Sequence, residues 1–321
     1  MNQDERRNEL LNTVFRIRAA EFSCCFAAPP PCPHPAIRAH SVQNARSFDL
    51  LAVDGHLVSP TIRLDAKTGL LVDLAHVGRN HATTFSGLCV KHDREIFAPI
   101  ETGILDAENP EHRFLLAYRA TLYEVHAACA AAWQVQMGYQ KRVELGLDPQ
   151  DEPSRTGLYA VDRMIVSYET YRYKELFDTA YMERQFTVLE HDLVTLQVTE
   201  PTVAACALFS LDHIPRGDDV VRVCLTILPL EPSRTIALFS YLQADAPLAR
   251  AELSRILTSS GAHQKYELSR RLLNNCHNFV VSPRHVASWS AAKRRVITEF
   301  FVRTAIHDDL QFQDPHLLLF A

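Results

Sequence analysis

The chain is poor in glycine: 10 residues in 321, against an average usage near 7%. It contains no GxGxxG and no GxxxxGK[ST], so the glycine-rich loops that cradle dinucleotides and nucleoside triphosphates are excluded as drawn. Turn-dense all-β architectures are disfavoured for the same reason. No apolar stretch approaches the eighteen or so residues that a membrane-spanning helix needs, and the first twenty residues, MNQDERRNELLNTVFRIRAA, have no signal-peptide core. These two absences predict a cytoplasmic protein without a membrane partner. Strong net charge is missing as well. Thirty-three Lys and Arg stand against 38 Asp and Glu, a formal charge of −5, which argues against coating nucleic acid by bulk charge and requires any such contact to be local.

What is present suffices for a folded protein, since hydrophobic residues make up 47% of the chain and can fill a core. The acidity lies in the middle third, residues 101–200, where 9 Lys and Arg face 17 Asp and Glu. Of the eight cysteines, Cys24, Cys25, Cys32 and Cys89 fall in the first ninety residues. In a reducing compartment clustered cysteines more often hold metal than form disulfides. Cys129, Cys206, Cys224 and Cys276 sit in apolar surroundings and read as small buried hydrophobes.

The pattern along the chain predicts an α+β protein of three parts. Residues 1–105 form the first, with a short amphipathic helix over 2–20 and a loop stiffened by five prolines between Pro29 and Pro35. Strand-like FDLLAV (48–53) and HLVSPTIRL (56–64) follow, joined at Asp54-Gly55, a hairpin signal. LLVDLAHV (70–77) supplies a third strand, GRNHATTFSG a turn, and LCVKHDREIF (88–97) the opening of a helix.

Residues 106–184 form the second part. From Asn109-Pro110 apolar residues recur at three- and four-residue spacing for some 35 residues, a helix about 50 Å long at 1.5 Å per residue. DPQDEPSRTG breaks it and a second long helix returns. Residues 185–321 make the third part: β-branched runs separated by proline predict an antiparallel meander of three or four strands, followed by helices, with HNFVVSP as an extended link.

One constellation carries chemistry. Cys25-x6-Cys32 and, after 56 intervening residues, Cys89-x2-His92 offer two close pairs of metal ligands, the requirement of a tetrahedral Zn²⁺. Cys-x2-His at a loop-to-helix junction presents both ligands within one turn. The first pair exceeds the usual spacing of two to four, and Cys24 competes with Cys25 for the ligand role. The competing explanation makes the cysteines packing residues and His92 a solvated helix residue.

The order Cys…Cys, then AIRAHS, a hairpin, and LC-x2-H-D at a helix start resembles the treble-clef arrangement of HNH-type (ββα-metal) nucleases, over roughly residues 22–97. AIRAHSVQN and FSGLCVKHDREIF also resemble a group of bacterial proteins that pair such a finger with a helical and β region. The resemblance implies that Cys25, Cys32, Cys89 and His92 are structural zinc ligands and His40 the general base. It implies that Asp93 is a ligand of a catalytic Mg²⁺ or Mn²⁺, with DNA or RNA as the polymer engaged and defence against mobile DNA as the setting. The family asparagine is not found before Leu88-Cys89, where the chain reads Thr83-Thr84-Phe85-Ser86, and His92 stands where a cysteine is usual.

His40 equally suits a loop cap or a hydrogen bond to the zinc ligands, and Asp93 with Glu95 suits a helix N-terminus without any metal. Arg270-Arg271 and Lys293-Arg294-Arg295, with Arg284, His277 and His285, offer a phosphate-binding face or a solvated surface. Tyr168, Tyr171, Tyr173 and Tyr181 read as helix packing ahead of base stacking. The alternative function is a zinc-stabilised scaffold whose helices and sheet meet a protein partner. The long helices with apolar faces also allow a homodimer.

Overall fold

The computed structural model describes residues 2–42, 44–65, 69–216, 219–307 and 312–321. It is a mixed helix and sheet protein. Its elements are α1 (Gln3–Ala19), β1 (Ile37–His40), α2 (Asp49–Leu51), β2 (His56–Asp65), β3 (Gly69–Gly78), β4 (Thr84–Leu88), α3 (Val90–Glu101), α4 (Pro110–Glu144) and α5 (Arg155–Met182). After these come β5 (Leu189–Gln197), β6 (Val203–Arg216), β7 (Asp219–Glu231), β8 (Arg234–Leu242), α6 (Ala246–Leu257), α7 (Gly261–Asn275), β9 (Phe279–Val281), α8 (Pro283–Ala287) and α9 (Ala291–His307). They group into two compact units, each built from discontinuous segments: residues 1–39, 85–96 and 121–185 in the first, and 40–84, 97–120 and 186–321 in the second.

In the first unit, α1 begins at a capping box in which Asn2 accepts from the Glu5 N–H and the Glu5 carboxylate accepts from the Asn2 N–H. The 35-residue α4 and 28-residue α5 appear where the apolar spacing predicted them. Between them, Asp148 takes hydrogen bonds from Arg142 at the end of α4 and from Thr156 at the start of α5, each 2.5 Å long. Ser154 caps α5 by accepting from the Gly157 N–H.

Glu124 on α4 is partly buried, and its carboxyl makes no ion pair or hydrogen bond with any described residue. Burial pushes its carboxyl from 4.5 up to about 7. The folded pKa lies above the unfolded one, so folding favours the proton, and stability falls as pH rises through about 7. Glu124→Gln is therefore expected to raise the unfolding free energy at pH 8 by at most about 3 kcal/mol, less whatever solvent relieves, and to change it little at pH 5. Urea titrations at the two pH values read the difference. Equal effects at both would refute it.

The second unit is organised on a seven-stranded sheet of order β3-β2-β9-β6-β7-β8-β5, with every pairing antiparallel. β6, β7 and β8 form the expected meander. β5 does not open it: β5 pairs with β8 at the far edge, Leu193 opposite Leu238. HNFVVSP is more than a link, because Phe279–Val281 is the strand β9 that joins the β2–β3 hairpin to β6.

Ala205, Phe209, Val223, Leu225, Phe239 and Tyr241 belong to one large core cluster, with Leu253, Leu268, Leu272, Ile297 and Phe300 from the helices. The intervening Cys206, Leu208, Cys224, Ile236 and Leu238 are buried as well. Strands covered on both faces read as continuous apolar runs, which is why these segments show little alternation in the sequence.

FDLLAV is a correction. Residues 44–48 form a π-helical turn that runs into α2, and Ser47, Phe48 and Leu51 are the buried residues. That is helical spacing, where a strand would bury 48, 50 and 52. Asp54-Gly55 still makes the turn predicted for it, with φ of 49° and 73°, the left-handed pair of a type I′ turn. Its strand partner is only the bridge Val53–His56. The stretch GRNHATTFSG, read as a turn, ends in β4, which pairs with β1 in a two-stranded sheet.

Candidate metal centre

The cysteine–histidine centre lies within the first unit. An extended segment around Cys24 runs along β4, the Cys24 N–H donating to the Ser86 carbonyl at 3.1 Å and the Phe26 N–H to that of Gly87 at 2.8 Å. Adjacent residues of an extended chain point to opposite sides. Cys25 consequently turns toward Cys89 and His92, while Cys24 is exposed and outside the cluster. Of the two thiols, it is that of Cys25 which stands with Cys32, Cys89 and His92.

Gly87 has no room for a side chain: a Cβ there would collide with the Phe85 ring, itself packed edge-on against Tyr123 and His126. β4 ends at Leu88, buried beneath the site. Cys89 then precedes α3, whose first turn carries His92.

The ligand atoms of Cys25, Cys32, Cys89 and His92 all lie within 4.8 Å of one another. Cys32 Sγ is 3.8 Å from Cys89 Sγ, and His92 Nδ1 is 3.3 Å from Cys25 Sγ and 3.4 Å from Cys89 Sγ. A tetrahedral Zn²⁺ with Zn–S near 2.3 Å and Zn–N near 2.0–2.1 Å has S···S edges of about 3.8 Å and S···N edges of about 3.6 Å. The donor set therefore fits a zinc-sized ion, and three thiols with an imidazole are the soft-to-borderline donors that zinc takes. Four protein ligands leave no open position, the mark of a structural rather than catalytic zinc site.

The surroundings act in opposite directions on two of the thiols. Burial pushes the Cys25 thiol up to about 11, although the N–H groups of Ala27 and Cys89 favour its thiolate. The Cys89 N–H reaches Cys25 Sγ at 3.3 Å. Burial also acts on Cys89, but there the N–H groups of His92 and Lys91 at the helix start, with the neighbouring thiols, outweigh it and lower the pKa.

Next to β4 lies a polar network that spacing did not reveal. Glu21 accepts a bidentate contact from Arg38, 2.7 Å at the shorter arm, and a short hydrogen bond from Ser86 Oγ. These two partners hold its carboxyl down to about 2. Ser86 thus ties the strand before Cys89 to the segment before Cys25. The residues stand 17 and 65 positions from Glu21, so no local motif announces them.

His40 ends β1 and belongs to the second unit. Its Nδ1–H donates to the Ala82 carbonyl at 3.0 Å and its ring stands edge-on to Phe48. Burial, with Arg119 and Arg79 nearby, pushes its pKa below the ordinary value, leaving a neutral imidazole at pH 7. Asp93 sits in the first turn of α3, its N–H donating to the Cys89 carbonyl. Neither belongs to the cluster, which is the only group of three or more potential metal ligands of its kind among the described residues.

Of the tyrosines, Tyr173 is buried and Tyr168 exposed. No helix is long and apolar enough to cross a membrane among the described residues. No family model, curated protein or solved structure matches the chain.

Proposed function

We propose that the chain is a zinc-stabilised, HNH-like protein that engages nucleic acid, with the ion structural and any hydrolysis depending on other residues. The observation that carries this reading is the convergence of Cys25, Cys32, Cys89 and His92 to within 4.8 Å from two segments of chain far apart in sequence. The zinc would fix the start of α3 and the proline-rich loop as one surface, and would supply no reactive water itself.

A neutral His40, oriented by the Ala82 carbonyl, has the protonation state a general base requires. Asp93 follows the last ligand directly and would offer a carboxylate to Mg²⁺ or Mn²⁺, whose chemistry when bound is to stabilise charge on a transferring phosphate.

The 321-residue chain is expected to nick plasmid DNA with Mg²⁺ or Mn²⁺, and His40→Ala to slow this by about 10² to 10⁴. Binding to DNA or RNA should weaken with salt, log K on a duplex falling by about 0.9 per phosphate contact for each tenfold rise in salt. Cleavage that His40→Ala and Asp93→Ala both leave untouched would remove the catalytic reading. Binding without salt dependence would remove the polymer.

A second reading, a scaffold that meets a protein partner, has its own observation. Leu158, Val161, Ile165 and Tyr168 form an exposed apolar stripe along α5, each more than half exposed. Absence of nucleic-acid binding at low salt would favour it.

A further inference from the structure

One side of α5, in the first unit, carries an apolar seam. Leu158, Val161, Ile165 and Tyr168 follow one another at intervals of three, four and three residues, and each is more than half exposed. This alternation is the a and d pattern of a heptad repeat, which keeps one apolar line on one side of a helix and fits it to the same line on another helix. Met164, also exposed, broadens it. The seam is short, about 15 Å at 1.5 Å per residue. The next two positions of the pattern are Arg172 and Glu175, 3.6 Å apart, and Ser154 caps the helix at the other end.

The seam is complementary to itself. Leu158 and Tyr168 lie five residues to either side of Arg163, and Val161 and Ile165 lie two. A second α5 laid antiparallel, with its own Arg163 at the same level, therefore sets Leu158 against Tyr168 and Val161 against Ile165, and then the reverse. The flanking charges select this orientation. Arg155, Asp162 and Glu169 stand seven residues apart along one edge of the seam, two of them directly after Val161 and Tyr168. Antiparallel pairing brings that edge against itself, so Arg155 meets Glu169 of the second copy at both ends. Asp162 faces its own copy across the axis, and each is already matched by Arg163 at 2.6 Å. Parallel pairing would set the same edge against Gly157, Met164 and Tyr171, which offer it no opposite charge. The side chains of Arg155 and Glu169 have no ion pair or hydrogen bond with a described residue.

We propose that α5 is a dimer interface of this chain, two copies pairing antiparallel over residues 158–168 about a two-fold axis near Arg163. The order of apolar side chains and the order of charges both read the same from the reversed copy, a coincidence that a foreign partner does not require. Such an interface is isologous and closes at two copies. The inference rests on the exposed stripe that also favours the scaffold reading, and it names the partner. It does not depend on the zinc.

The test is sedimentation equilibrium of the 321-residue chain. A monomer–dimer equilibrium with a dissociation constant of about 1–100 µM is expected, the range of a small interface. Ile165→Glu places a charge in the middle of the seam at a position exposed in the single chain, and should abolish the dimer without changing the far-UV circular dichroism. Glu169→Arg and Arg155→Glu each reverse one charge, which the two-fold axis makes count twice, so each should weaken the dimer by about tenfold. The two together restore the attraction and should return the dissociation constant to within about threefold of the parent value. A parent protein that stays monomeric throughout that range would overturn the dimer and leave the stripe to a partner of another kind, so that the scaffold reading would survive it. An undiminished dimer in Ile165→Glu, or a double variant weaker than either single one, would overturn the proposal as well.

Discussion

The purified protein is expected to carry one zinc ion per chain, and Cys89→Ser to carry none. Cys89 is the ligand around which the others assemble: its thiol lies 3.8 Å from Cys32 Sγ and 3.4 Å from His92 Nδ1, and its N–H supports Cys25. A serine hydroxyl is a poor zinc donor, and the three remaining ligands would stand around an incomplete site. Apparent binding free energies of structural zinc run to about 10–16 kcal/mol near neutral pH, comparable with the whole stability of an ordinary domain, about 5–15 kcal/mol.

In the proline-rich loop residues 29–31 and 33–35 are exposed and Cys32 alone is half-buried, so little packing besides the Cys32 thiol is there to hold it. Loss of metal should therefore release the segments around Cys25 and Cys32 and the start of α3. Elemental analysis gives the metal, and hydrogen exchange of residues 21–36 and 85–96 gives the consequence. Cys24→Ser is the matched control, because the thiol beside Cys25 points away from the cluster. It should retain full zinc and full protection. A zinc-free parent protein, or equal zinc in the two variants, would end the proposal.

How much of this was legible in the sequence depended on the range of the forces involved. Cys89-x2-His92 was readable because a helix start brings residues three apart onto one side, a purely local rule. The long helices were readable for the same reason. The choice between Cys24 and Cys25 needed only one further fact, that the segment is extended along β4. FDLLAV was misread because so short a run offers apolar residues at both periods, Phe48, Leu50 and Ala52 at two and Phe48 with Leu51 at three, and the burial of Ser47 one turn before Leu51, with its hydroxyl donating to the Pro229 carbonyl at 3.4 Å, decides for helix. The sheet order was not readable at all. Nothing in Phe279–Val281 says that three residues will bridge Val58 on one side and Val203 on the other, since such pairing is fixed by tertiary packing and not by pattern. Glu21, Arg38 and Ser86 were missed on the same ground.

A second large effect is expected at Lys174. This lysine and Asp178 sit one turn apart on α5, 2.5 Å between Nζ and Oδ2, and both are buried, at 0 and 2% exposure. The ammonium also lies 5.0 Å from the centre of the Tyr171 ring. An exposed pair with this spacing contributes only a few tenths of a kcal/mol. Burial changes the balance, because each ion has given up its hydration and depends on the other to offset it.

Lys174→Ala removes the cation and a long aliphatic stem while leaving the Asp178 carboxylate inside the unit, and is expected to cost about 3–5 kcal/mol. Replacing both residues with apolar groups of similar size, Lys174→Met with Asp178→Leu, removes the desolvation cost together with the attraction. The double variant should then unfold within about 1 kcal/mol of the parent, or above it. Urea denaturation followed by far-UV circular dichroism measures all three proteins. A single variant that loses less than about 1 kcal/mol would mean that water, or the other contacts of Asp178, hold its charge without Lys174. A double variant as weak as the single one would mean that the pair is irreplaceable in shape, and that the ionic contact is secondary to how the two side chains fill the interior of α5's buried face.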